Sequence, residues 1–313
     1  MIDLECISLS DGMSVNIPSA SVICLGNFDG VHLAHRALFH RAIALQKSTF
    51  PSAKVSAFCF REPSWVTLSG NDAIRLSTLE EKIALFRSIG CEYLFLCDFA
   101  SVRNLSPEQF AVDILKNHCH CVAAVCGFNY RFGKHGKGDA SLLGSLLDSP
   151  VDVQEEILFE GNTVSSTYIR KLLSQGDVKT ANTLLCEPYS ITAEVVQGKA
   201  LGRTIGFPTL NQRLPSYKMA PRNGVYLTSC EIDGVRYGAI TNIGVHPTVD
   251  SQAQKNCETH LFDTEINAYG KTATVRFLAF LRPEQKFDSL ELLCQQMQAD
   301  LSLAKNLFRK GSY

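Results

Sequence analysis

Two histidines placed where a helix begins after a glycine turn can grip and neutralise a chain of phosphates. Such a group stands at Gly26-Asn27-Phe28-Asp29-Gly30-Val31-His32-Leu33-Ala34-His35, between a short apolar run and an amphipathic one. A strand-to-helix junction of this kind is where an open α/β sheet presents backbone amides to an anion. His32 and His35 fall on one face of the expected helix, so both rings reach what its N-terminus holds, and two imidazoles there would stabilise charge on a transferring phosphoryl group. Either feature alone reads as a turn glycine with surface histidines, and it is the combination that favours chemistry.

Three further stretches could share such work. In Val125-Cys126-Gly127-Phe128-Asn129-Tyr130-Arg131-Phe132-Gly133, aromatic residues follow a predicted strand and could stack a planar ring. In Val164-Ser165-Ser166-Thr167-Tyr168-Ile169-Arg170, hydroxyls open a helix and an arginine sits in its first turn. Cations are disfavoured at that end, and a bound anion would explain the exception. Gly198-Lys199-Ala200-Leu201-Gly202-Arg203-Thr204-Ile205-Gly206-Phe207-Pro208-Thr209-Leu210-Asn211 has spaced glycines whose amides could cradle phosphates. It is not a Walker loop: the glycine spacing is one residue short, Arg203 replaces the lysine, and the surrounding pattern is antiparallel β. Downstream, Glu258 lies on a predicted strand, and phosphoryl transfer asks for little beyond in-line positioning, charge neutralisation and a carboxylate that orients the nucleophile.

The elements that must position these residues change character along the chain. Short β-branched runs at Ser21–Gly26, Val55–Phe60, Tyr93–Cys97 and Val122–Cys126 alternate with helical patterns at Val31–Lys47, Leu79–Ile89, Phe110–Lys116 and Ser166–Leu173. That alternation predicts βαβ units and a parallel sheet. From about residue 186, strands at Ser190–Gln197, Gly224–Ile232, Tyr237–Ile243, Cys257–Phe262 and Thr272–Leu281 are separated by turn residues, with a helical tail over Asp288–Phe308. This spacing predicts a small antiparallel barrel or sandwich, with a tight hairpin at Asp233-Gly234.

Bulk properties narrow the function classes. A chain of 313 residues, 45% of them apolar, can fill two cores, and a net charge of −1 gives no basic field for nucleic acid. No leader pattern opens the chain and no apolar run approaches the ~20 residues of a membrane span, so cytoplasmic residence and no membrane partner are expected. Most of the cysteines lie in apolar strands, where a thiol acts as a small hydrophobe and disulfides are not expected. His118-Cys119-His120-Cys121 resembles a metal tract, but alternating residues at a helix end poorly supply four tetrahedral ligands, and a structural reading is preferred.

On these residues the chain resembles the prokaryotic bifunctional riboflavin kinase/FAD synthetase family. The first decapeptide is similar to Gly-x-Phe-Asp-Gly-Val-His-x-Gly-His of the FAD synthetase module, with Ala34 where the family usually has glycine. The Val125–Gly133 stretch is similar to its second motif, with Asn129 where aspartate is frequent, and Val164–Arg170 resembles the Ser-Ser-Thr-x-Ile-Arg of nucleotidylyltransferases. The Gly198–Asn211 stretch resembles the riboflavin kinase pattern, as do Asn242–Thr248, with His246 in place of arginine, and the Glu-x-His-x-x-Asp strand at Glu258–Asp263.

The resemblance implies a Rossmann-like α/β nucleotidylyltransferase domain over residues 1–185 and a small antiparallel β-barrel kinase domain with a terminal helix over 186–313. It implies that riboflavin is phosphorylated to FMN in the second domain, and that the first transfers AMP from ATP to FMN, giving FAD and pyrophosphate. ATP is then the co-substrate of both steps and Mg²⁺ their cofactor; a homo-oligomer is compatible with this. For adenylyl transfer it implies ATP at Gly26, Phe28, Asp29, Gly30, His32, His35, Ser166, Thr167 and Arg170. His32, His35 and Arg170 then act by binding charge, and flavin lies at Gly127, Phe128 and Asn129. For the kinase it implies ATP at Gly198, Lys199, Gly202, Arg203, Gly206, Pro208 and Thr209, the metal on Thr209 and Asn211, and Glu258 as the base for the riboflavin 5′-hydroxyl. Two rivals are a single-activity transferase, in which Ala34 or His246 marks a lost step, and a noncatalytic barrel that binds RNA or stores flavin.

Overall fold

Strands whose residues are apolar on both faces need cover on both faces, and the first half of the chain provides it. The computed structural model describes residues 4–9, 17, 19–64, 74–198, 205–245 and 255–311. They fall into two compact units, one ending at Ser166 and the other beginning at Thr167.

In the first unit, β1 (Glu5–Leu9), β2 (Ser21–Leu25), β3 (Lys54–Phe60), β4 (Tyr93–Cys97), β5 (Cys121–Gly127) and β6 (Val151–Gln154) form a parallel six-stranded sheet in the order β1-β4-β3-β2-β5-β6. Alternate residues of each strand feed separate cores. Val22, Cys24, Val55, Ala57 and Cys59 join Phe39 of α1 (Leu33–Thr49) and Phe86 of α2 (Leu79–Ser88). Ile23, Leu25, Phe58, Phe95 and Cys126 join the other core, with Phe110 and Leu115 and with Leu143 of a later helix. The chain runs from β2 to β3 on one side and resumes at β5 on the other, so the strand order reverses at β2, where α/β sheets bind ligands beyond the strand C-termini.

Local signals set the helix ends. Thr78 and Glu81 form a capping box before α2. After α3 (Phe99–Val102), Ser106 and Gln109 form another around α4 (Pro107–Gln109), with Pro107 in its first turn. The expected helix does follow, but Phe110–His118 winds as a π-helix rather than an α-helix. The first unit also holds α5 (Ala140–Leu147) and the two-stranded β7 (Leu158–Phe159) and β8 (Asn162–Thr163).

In the second unit, α6 (Ser166–Gln175), whose first residue still belongs to the first unit, and α7 (Val178–Leu185) precede a closed antiparallel barrel, ordered β10-β13-β12-β11-β14-β9. Its strands are β9 (Ser190–Val196), β10 (Leu210–Arg213), β11 (Gly224–Ile232), β12 (Val235–Val245), β13 (Lys255–Leu261) and β14 (Thr272–Pro283). Closure removes the open edges that a sandwich would retain. The Asp233-Gly234 turn joins β11 to β12 with positive φ at both residues, as a tight hairpin requires. The terminal helix α8 (Leu290–Lys310) is capped by Ser289 and Gly311 and packs Phe308 edge-on against Phe262.

Gly224 sits at φ 151, and a Cβ there would lie 2.4 Å from the Arg282 carbonyl oxygen and 2.7 Å from the Phe280 ring. Gly224→Ala should destabilise the barrel by about 1–3 kcal/mol through overpacking. Thermal melting followed by near-UV dichroism checks this, and an unchanged transition counts against it.

Candidate active sites

The turn after β2 is held in a conformation that its own residues disfavour. Phe28 and Val31 have φ of 51° and 42°, beside Gly30 at 85°, and a β-branched residue in that region is strained. Side-chain anchors offset the strain. The Phe28 ring is fully buried, 5.0 Å from His35, 5.8 Å from Phe39 and 5.2 Å from Phe86. The Asp29 carboxylate accepts from the amides of Leu76 and Ser77 at 2.8 and 3.2 Å, and the Gly30 amide donates to Ser77 Oγ at 3.2 Å. Asn27 accepts at its side chain from Ser64 and at its carbonyl from Lys82 Nζ, 3.0 Å away. Ser166 Oγ donates to the Asp29 carbonyl at 2.8 Å.

This geometry divides the turn's groups into those that support it and those that remain for a ligand. Phe28 and Asp29 turn their side chains into the protein, so only their backbone is left to meet a nucleotide. The histidines differ. His32 occupies the N-cap of α1 without capping it through its side chain, which leaves the first amides of the helix for an anion. Its ring stacks on His35 with centroids 3.7 Å apart and planes 16° apart. Burial, then the neighbouring His32 and Lys82, hold the His35 imidazole well below its usual pKa. Near neutral pH His35 is therefore uncharged and offers a hydrogen bond rather than a full charge.

The second motif leaves the adjacent strand at the same end of the sheet. Tyr130 and Phe132 stack inward at 6.0 Å, and Gly133, at φ 70°, passes so close to Pro107 that a Cβ would meet it at 2.8 Å. Phe128 is turned out, 52% exposed, while its amide is fixed to the Gln154 carbonyl at 2.9 Å. Gly127 precedes it, and the Asn129 side chain folds back to within 3.7 Å of where a Gly127 Cβ would stand. Thr167 and Arg170 belong to the second compact unit, where Arg170 donates to Thr167 Oγ1 at 3.1 Å.

The barrel site follows from strand register. Asn211 of β10 and Asn242 of β12 both lie directly opposite Glu258 of β13. Asn256 donates to Asn211 Oδ1 at 3.2 Å and to Glu258 Oε1 at 3.1 Å, and Asn211 Nδ2 donates to the Thr209 hydroxyl at 3.4 Å. Gly198 is required here, since a Cβ would come within 2.5 Å of the Asn211 side chain. A cavity of about 310 Å³ opens beside these residues. Thr209, Asn242, Glu258 and His260 line it from the barrel, and Phe287 and Met297 line it from the terminal segment. His260 Nδ1 bonds the Pro208 carbonyl at 2.9 Å and fixes the chain after Gly206. Asp300, nearly buried, closes the wall by pairing with Arg282 at 2.7 Å and accepting from Gln296 at 2.8 Å.

Lys199, Gly202, Arg203 and His246 lie outside the described residues. In the suspected metal tract, Cys119 and Cys121 are buried and His120 is exposed, so the alternation separates the ligands. Burial pushes the Cys121 thiol up to about 12, as a packed apolar group. Sequence reasoning gave no role to His260, Asn242 or Lys82. The first shares a face with Glu258 two residues earlier, and Lys82 stands in α2 where the helical period of Leu79, Ile83 and Phe86 calls for an apolar residue.

Comparison with known proteins adds to this geometry. The pattern described as FAD synthetase matches residues 14–168, and that described as riboflavin kinase matches residues 185–308. A bifunctional riboflavin kinase/FMN adenylyltransferase of Bacillus subtilis is 35% identical over 294 residues, 92% of either chain. The protein of that name in Escherichia coli K12 is 33% identical over 296 residues, again 92% of each. A crystal structure described as a macrolide-efflux protein from Streptococcus pneumoniae superposes with a TM-score of 0.88 at 31% identity, covering 96% of this chain and 99% of that one. Among the described residues of this chain, no helix is long and apolar enough to cross a membrane. With both patterns matched in order and the curated relatives covered over most of their length, the chain belongs to the bifunctional riboflavin kinase/FMN adenylyltransferase family.

Proposed function

We propose that this chain phosphorylates riboflavin to FMN in its barrel and adenylylates FMN to FAD in its parallel-sheet unit, using ATP in each step and acting in the cytoplasm. The activities divide near residue 186, close to the start of the matched riboflavin kinase pattern at residue 185. The observation that carries the reading is the convergence of Glu258, Thr209 and Asn242 at one cavity that also presents Phe207, Phe287, Leu293 and Met297, an aromatic and apolar surface beside polar groups that suits a flavin with a hydroxylated chain.

In the kinase step Glu258 orients the riboflavin 5′-hydroxyl and accepts its proton as that oxygen attacks the γ-phosphorus and ADP leaves. The Thr209 hydroxyl and the Asn211 side-chain oxygen are hard donors two residues apart and would hold Mg²⁺, an ion that takes few protein ligands and completes its shell with phosphate and water, once the Asn211 amide, whose nitrogen here faces Thr209, turns its oxygen toward it. When bound there, it would offset charge spreading over the phosphates. Asn256 keeps Asn211 and Glu258 in register with each other.

In the adenylyl step an FMN phosphate oxygen displaces pyrophosphate from the α-phosphorus of ATP, with no covalent enzyme intermediate. The turn amides and the His32–His35 pair bind the phosphates, Ser166 adds a donor, and exposed Phe128 offers a face to the isoalloxazine.

Glu258→Ala should lower FMN formation about 100- to 10,000-fold, the range for a lost general base, while FAD formation from supplied FMN persists. His32→Ala should do the reverse. Chromatography of the flavin products decides, and loss of both steps in a folded variant contradicts the division of labour. Phe128→Ala should raise the KM for FMN about 5- to 10-fold by removing one stacking surface, with riboflavin phosphorylation unchanged. A further expectation concerns stability. His35 is neutral when folded, so once the pH falls below about 6.5 the unfolded chain binds a proton that the native one refuses, and the first unit loses stability. Melting temperature measured against pH should show this loss, and His35→Gln should reduce it.

A further inference from the structure

Lys82 has no part in the reading above, yet its surroundings are costly. Its side chain is 2% exposed, and among the described residues its ammonium bonds only the Asn27 carbonyl and pairs with no carboxylate. The adjacent acid, Glu81, is engaged in the capping box with Thr78. Lys82 also lies near the N-terminus of α2, the end at which a cation is disfavoured. A buried charge that no carboxylate among the described residues neutralises points to an anion supplied from elsewhere.

The same helix face shows where that anion would be. Lys82 and Phe86 are four residues apart and so lie one above the other. Lys82 holds the carbonyl of Asn27, and Phe86 packs 5.2 Å from the ring of Phe28. Just before the helix, Leu76 and Ser77 hold Asp29 and Gly30. The segment from Leu76 to Phe86 is thus a mould against which Asn27 to Gly30 is cast, and Lys82 is its only cation among the described residues.

We propose that Lys82 is a positioning residue of the adenylyl-transfer site: its ammonium pins the Asn27 carbonyl, sets the path of the turn backbone against the triphosphate of ATP, and supplies positive potential beneath it. This rests on the reading of that turn as the ATP site. The charged groups acting on His35 are His32 of its own helix and Lys82 of α2, both of which favour the neutral imidazole. Lys82 thus adds to burial and to His32 in holding the His35 imidazole neutral.

The test compares Lys82→Met with the parent in the full chain, measuring FAD formation from FMN and ATP across pH, with riboflavin phosphorylation in the same sample as control. The expected result is a fall of about 100-fold in kcat/KM for adenylylation, the scale of a misplaced reacting group. Phosphorylation should be unchanged, and the acid-side break of the adenylylation profile should move to higher pH as His35 is released from the neighbouring charge. Adenylylation within about threefold of the parent, with an unmoved break, overturns the proposal. Should the Met variant fail to fold, Lys82→Gln at the parental melting temperature decides: a loss with a shifted break supports the role, and a parental rate and break overturn it. A parent that makes FMN but no FAD sinks the ATP-site reading and this role with it, whereas an active parent with an indifferent Lys82→Met sinks only the role.

Discussion

The constraint on which the first site depends is that a backbone turn must stay in left-handed conformations without glycine at each position. Phe28 and Val31 would leave that region in a free peptide, and they are kept there because the Phe28 ring is buried and the Asp29 carboxylate is satisfied by two buried amides. Burying one phenylalanine ring contributes about 1.5–3 kcal/mol, comparable to the cost of one strained residue. The side chains of Phe28 and Asp29 are spent on holding the turn, which leaves its backbone and the stacked, buried imidazoles of His32 and His35 beside it. Chemistry at this end of the sheet is therefore a property of the support beneath it as much as of the residues that meet the ligand.

The barrel solves the same problem through register. Antiparallel pairing sets Asn211, Glu258 and Asn242 side by side on three consecutive strands, and a slip of one residue would turn the carboxylate to the opposite face. Inside the barrel, the hydroxyls of Thr228, Thr241 and Thr259 bond in a row at 2.8 and 3.0 Å across the neighbouring strands. Such a buried row is satisfied only when those strands are correctly aligned, so it acts against slippage.

Much of this was legible in the sequence, where pattern and local chemistry agree. Tyr93–Cys97 is a strand over those same residues, the Asp233-Gly234 hairpin stands where its turn residues place it, and the shift from alternating to turn-punctuated strands separates sheet from barrel. Short strands such as β7, β8 and β10 were not legible, because a few residues carry no periodicity. Nor were the roles of Phe28 and Asp29: a motif shows which residues occur together but not which of them face inward. Asn256 escaped for another reason. Its importance comes from lying between two residues on neighbouring strands, a relation that exists only after folding.

The order in which the barrel closes bears on how the chain comes into being. Its opening strand, β9, pairs on one side with β10 and on the other with β14, whose residues from Thr272 to Arg276 are made long after it, whereas the last strand of the parallel sheet ends at Gln154. During translation the sheet has all its strands while most of the barrel is still unmade, and β9, though able to meet β10, keeps its other edge open until β14 has been made. An interrupted or truncated product would thus carry a finished nucleotide fold and an open, adhesive half-barrel.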